Sequence, residues 1–220
     1  MPTRKAVAKR KPTIKRSAAK RLPTLSLLIL ECDANKLARQ NLSVANELHQ
    51  ITRLIPARIT KEVAFINSAA DLQERFIDYT QKYSSIKLIV VIAHSNREVI
   101  SVAPDMLLTW EAFAHWVLPF NPQKMVFIAC EAGQFPATRM LFDEIPKLNK
   151  IYASPIKTSL AHAEVIKLLV PYLLLSKKQD NDIIQLGSLL NFFKTGGVIL
   201  QCSRRNIEWN QFWQLIGSLT

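Results

Sequence analysis

Glycine is scarce in this chain, with five among 220 residues beside eleven prolines. That excludes collagen-like repeats and Gly/Ser linker architecture. No apolar run reaches the length of a membrane span: stretches such as VIKLLVPYLLL stop well short of about 18 residues. The three cysteines, Cys32, Cys130 and Cys202, form neither a metal spacing nor an even disulfide set. They point to a reduced, cytoplasmic setting. No His/Cys/Asp group has zinc-ligand spacing, and Gly196-Gly197 lacks the Lys-Ser/Thr that would follow in a phosphate loop. No metal and no cofactor is therefore expected.

Acidic residues are also missing from one place, residues 1–22, which hold nine Lys and Arg and no Asp or Glu. The net charge of +12 belongs mostly to that segment, because the rest of the chain has 20 basic against 17 acidic residues. The segment has no apolar h-region and so is not a secretory signal. It reads as a disordered basic arm, either solubilising or able to hold nucleic acid or an acidic partner by phosphate-type contacts. Residues 23–220 read as one domain, and 49% hydrophobic content is too high for solvated coil.

Within that domain, short apolar runs alternate with helical periods. TLSLLILECD, KEVAFIN, IKLIVVIAHSN, KMVFIACEAG and KIYASP read as strands, short apolar runs of the kind buried on both faces. Between them, Leu42, Ala45, Leu48, Ile51 and Ile55 keep a helical spacing that Pro56 stops. Ser68 and Asp71 resemble a capping box opening a helix through Leu72, Phe76, Tyr79 and Tyr83. EVISVAP reads as a small hairpin or loop before a helix around 108–117. Helices are expected near 137–145, 159–175 (with a kink at Pro171) and 183–193. VILQCS is a candidate sixth strand, and NIEWNQFWQLI a last helix. Strands and helices in alternation mean an α/β fold with a mostly parallel sheet covered on both faces.

In such sheets, functional groups gather beyond the carboxyl ends of the strands. Of the strand ends here, two carry groups able to act as base and nucleophile together: His94 after the third strand and Cys130 after the fourth. If these strands are neighbours, their ends lie about 5 Å apart. An imidazole beside a thiol promotes the thiolate, which is the nucleophile of acyl transfer, and backbone N–H groups can hold the oxyanion. The plainer alternative stays open, since a strand-end cysteine is commonly a small buried hydrophobe. Cys32 and Cys202 are read that way. His49 and His115 are read as helix-face packing residues, His162 as a residue at a helix start, and the four tryptophans as core or interface groups.

IVVIAHS and VFIACEAG together resemble the histidine and nucleophile strands of caspase-like cysteine peptidases, most closely the CHAT branch. The resemblance extends over roughly residues 24–205, with only these two motifs specific. It implies a six-stranded, mostly parallel sheet ending in an antiparallel strand. It also implies peptide-bond hydrolysis with His94 as general base, Cys130 as nucleophile, and the backbone N–H groups of Ser95 and Cys130 as oxyanion donors. Three departures stand out. Ser95 occupies a position usually held by glycine, Ile128 one held by Gln in caspases, and the interval from His94 to Cys130 is shorter than the roughly 50 residues of caspases. The family pocket before the scissile bond is floored near the first strand end, where Glu31 and Asp33 would favour a substrate Lys or Arg. The alternative for that pair is one residue solvated and the other capping the next helix. An activating protein partner is a further expectation, with segments 95–107 and 176–182 as the loops to be ordered. The competing function is a non-catalytic interaction module of the same fold.

Overall fold

The computed structural model describes residues 22–32, 43–55, 59–104, 106–154, 157, 160–175 and 200–203. Residues 1–21 of the basic arm, Asp33, the segments 176–182 and 183–193 and the NIEWNQFWQLI end lie outside the described residues. Strand β1 (Thr24–Cys32) is followed by α1 (Val44–Arg53), β2 (Lys61–Ile66), α2 (Ala69–Lys82) and β3 (Ser85–Ile92). Then come three short strands, β4 (His94–Ser95), β5 (Val99–Ala103) and β6 (Met106–Thr109), leading into α3 (Trp110–Val117) and a 3₁₀ turn. The remainder is β7 (Lys124–Ile128), α4 (Phe135–Glu144), β8 (Lys150–Ala153), α5 (Leu160–Leu175) and β9 (Leu200–Ser203).

The central sheet has the order β2-β1-β3-β7-β8-β9, parallel throughout except that β9 runs antiparallel to β8. Strand residues alternate between two helical layers, the period-two consequence of the pleat. Leu28 and Leu30 of β1, Ile89 and Val91 of β3, and Met125 and Phe127 of β7 pack with α2, α3 and α4. Leu27, Ile29, Leu88, Val90, Val126 and Ile128 pack with α1 and α5. Burial on both faces explains why these strands read as unbroken apolar runs.

The helices begin where their caps say. Ser43 and Ser68 accept from the N–H groups of Asn46 and Asp71, and Thr109 from that of Ala112. Asp71 in turn accepts from Asn67 N–H at 3.0 Å, one residue ahead of the cap. Pro171 sits inside α5. Among the described residues, no helix is long and apolar enough to cross a membrane.

The segment read as a hairpin or loop is more ordered than expected. β4, β5 and β6 form a second, antiparallel three-stranded sheet, with His94 opposite Ser101 and Ile100 opposite Leu108. Ile100 and Val102 are fully buried against the α2/α3/α4 layer. Their alternation with polar neighbours is too short to distinguish a strand from a loop in the sequence.

Candidate active site

β3 and β7 are adjacent parallel strands whose last paired residues are Ile92 and Ile128. Each strand places its chemical group two residues further on: His94 in one, Cys130 in the other. The two chains stay joined beyond the sheet. Ala93 N–H donates to Ile128 O at 3.2 Å, and the Ser95 hydroxyl donates to Cys130 O. The expected juxtaposition of the two segments is therefore present, at the carboxyl edge of the sheet. His94 is exposed and Cys130 half-buried. The strand order reverses between β1 and β3, so the pair lies one strand away from the switch point.

The turn after each residue is built by its own backbone. After His94, Asn96 Oδ1 accepts from Glu98 N–H at 2.8 Å and Val99 N–H at 2.9 Å, and Asn96 N–H donates to Val99 O at 3.0 Å. This Asx-type turn folds β4 back onto β5. Trp110 holds it from behind, its indole N–H donating to Asn96 O at 3.1 Å while its ring packs edge-on against Phe127 of β7. One tryptophan thus connects the hairpin of His94 to the strand that leads to Cys130. Read in sequence only as core or interface, it also positions the site.

After Cys130, Glu131 takes a left-handed backbone with φ 57°, and Gln134 N–H donates to Glu131 O at 3.0 Å. Gly133 N–H donates to Ser154 O at 2.8 Å, tying the turn to the end of β8. Across the mouth, Arg97 Nε lies 3.8 Å from Glu131 Oε2. Among the described non-glycine residues, positive φ occurs at Asn121 and Glu131. Ser95 lies in β4 with a negative φ, a backbone that serine adopts without the freedom of glycine.

Glu31, one residue before the end of β1, lies on the α1 side of the sheet and has no exposed surface. Ser43 Oγ donates to its Oε2 at 2.7 Å, and the backbone N–H groups of Val44 and Ala45 also point to the carboxylate. Burial raises its pKa above the ordinary glutamate range, against the lowering effect of these donors. Its other oxygen, Oε1, is buried with no hydrogen-bond partner among the described residues. The carboxyl group thus belongs to the cap of α1, the alternative weighed for one of the two acidic residues, and does not face open solvent. Its partner in that expectation, Asp33, lies outside the described residues. Cys32 is buried in the core. His115, read as a packing residue, is instead half-exposed and lies 2.9 Å from Glu144 Oε2.

The architecture is similar to that of a secreted C11 cysteine protease from Bacteroides thetaiotaomicron, "iotapain". The TM-score is 0.55 at 10% identity, covering 86% of this chain and 68% of that one. A structure of a secreted C11 cysteine protease from the same organism, in complex with an irreversible peptide inhibitor, gives a TM-score of 0.51 at 11% identity. There the overlap covers 72% of this chain and 55% of that one, so this chain spans a little over half of that protein. No protein-family model matches the chain, and no curated sequence does. At such identities the likeness is one of fold: this is an α/β chain with the caspase-like protease architecture.

Proposed function

We propose that the protein is a cysteine endopeptidase of caspase-like fold, related to the CHAT branch, in which Cys130 is the nucleophile and His94 the general base. The observation that carries this reading is the β3–β7 pairing, which ends both strands in register and sets His94 and Cys130 at neighbouring carboxyl ends. A base and a nucleophile on adjacent rigid strands meet the positional need of covalent acyl transfer.

In this reading His94 takes the Cys130 proton and the thiolate adds to the scissile carbonyl. The displaced electron pair rests on an oxygen held by the N–H groups of Ser95 and Cys130. Collapse breaks the C–N bond, with His94 returning its proton to the leaving amine. Water, deprotonated by His94, then hydrolyses the thioester and restores the thiol.

Because Glu31 caps α1, a preference for Lys or Arg before the scissile bond would rest on Asp33. A protein partner that orders the segments flanking the site is the proposed activator. The candidate segments are 95–107 and 176–182, and the basic arm offers a contact for an acidic partner or nucleic acid.

The test is cleavage of a mixed peptide library by the wild-type chain and by Cys130→Ala, read by mass spectrometry. Wild type should cleave and Cys130→Ala should not. His94→Ala should lose about 10²- to 10⁴-fold in rate, the usual worth of a general base. Cleavage that survives Cys130→Ala overturns the assignment. Silence from wild type, with and without cell extract as a source of activator, favours the interaction module.

A further inference from the structure

Away from the candidate dyad, a second group of chemically capable side chains comes together on the outer face of the α2/α3/α4 layer. Glu111 and His115 lie four residues apart on α3, on one face and one turn apart. Glu144 is the last residue of α4, which packs against α3. One imidazole nitrogen and one oxygen from each carboxylate all lie within 4.8 Å of one another, and His115 Nε2 is already 2.9 Å from Glu144 Oε2.

We propose that Glu111, His115 and Glu144 form a binding site for a divalent transition metal of the zinc class, clipping α3 to α4. Zinc binds imidazole nitrogen and carboxylate oxygen at roughly 2.0–2.2 Å, so tetrahedral ligand atoms lie about 3.4 Å from each other. Bringing the three atoms from within 4.8 Å to that spacing takes side-chain rotation on two helices already in contact. Two carboxylates and a neutral imidazole match the charge of a divalent ion. The mixed nitrogen and oxygen set favours zinc, nickel or copper over calcium and magnesium, which take oxygen ligands.

The site is also reachable. His115 borders a recess of about 380 Å³ lined by Phe76, Ile77, Thr80, Trp116 and Pro119. Glu111 and His115 are exposed and Glu144 is half-buried, so solvent can supply a fourth ligand, as in metal sites that keep a water. Neither His94 nor Cys130 takes part, so the proposal stands apart from the peptidase reading. The ligand spacing is invisible in the sequence because Glu144 comes 29 positions after His115, on another helix.

The experiment is a calorimetric titration of zinc into the full chain carrying Cys130→Ala, which removes the half-buried Cys130 thiol as a competitor. One equivalent should bind, and His115→Ala in that background should weaken binding at least tenfold. Glu111→Gln and Glu144→Gln, milder changes that keep side-chain size, should each weaken it several-fold. Calcium should give no comparable binding. With zinc at about one hundred times its Kd, the melting temperature of the Cys130→Ala protein should rise by roughly 5–10 °C, and that of the His115→Ala protein should not. Binding unchanged by all three substitutions, equal binding of calcium, or no zinc binding overturns the proposal. Far-UV circular dichroism of each variant separates loss of ligand from loss of fold.

Discussion

Glu31 illustrates how a residue's chemistry depends on where the chain places it. As a letter in the sequence it is one of two acids at a strand end. In the fold it is a fully buried carboxyl group held by Ser43 and the first turn of α1. Burial raises its pKa above the unfolded value, so its favourable contribution to folding is complete below about pH 4. That contribution is lost as pH rises through the elevated folded value, because the folded state must then hold a desolvated charge. Glu31→Gln keeps the shape and an acceptor for Ser43 but removes the titration. Across that window the variant should gain stability relative to wild type with rising pH, at no more than about 1.4 kcal/mol per pH unit for one proton. Urea denaturation at a series of pH values measures it, and a pH-independent difference would show that the carboxyl group does not titrate abnormally.

Among the elements, the turn after β7 carries the most local constraint. Left-handed backbone costs a non-glycine L-residue roughly 1–2 kcal/mol, and Glu131 accepts that conformation beside the candidate nucleophile. Its ion pair with the exposed Arg97 is long, at 3.8 Å, and surface pairs of this kind add under about 1 kcal/mol. Comparing Glu131→Gly with Glu131→Ala isolates the backbone, since both lose the ion pair and only alanine keeps a Cβ. The glycine variant should be the more stable by about 1 kcal/mol in urea denaturation. Equal stability would place the strain elsewhere. The same turn is fastened to β8 by Gly133 and to β4 by Ser95, so Cys130 is held by its neighbours on both sides of its strand.

At the scale of the molecule, Phe127 joins the sheet to the helical layer that supports the histidine hairpin. It is fully buried, with Trp110 and Phe113 edge-on to its ring at 5.6 and 6.1 Å. Phe127→Ala should cost about 3–5 kcal/mol, from lost transfer energy and the cavity left behind. Against a typical stability of about 5–15 kcal/mol, that is a large share. Thermal melting should fall by roughly 6–20 °C for a chain of this size. A fall of only a degree or two would mean that the aromatic layer collapses to fill the space.

Much of this protein was legible before its tertiary structure. The apolar runs of β1, β3 and β7 announced strands covered on both faces, and Ser68 announced the start of α2, because burial and capping act through residues close in sequence. The two groups of the candidate site were legible for a related reason. A parallel sheet puts its strand ends on one edge, and His94 and Cys130 were the histidine and cysteine read there as base and nucleophile together.

Other features depend on partners far apart in the chain, and no local pattern encodes them. The β4–β6 sheet emerges only when Ile100 and Val102 find the helical layer. Glu31 turns inward because Ser43 is there to receive it, across a gap of twelve residues. Trp110 becomes a strut between hairpin and strand, and His115 meets Glu144, only once α3 and α4 are packed together. Local periodicity and capping determined the elements and the order of the chemistry along the chain. Tertiary packing alone decided which polar groups would be buried, which would face one another, and which would be left able to bind.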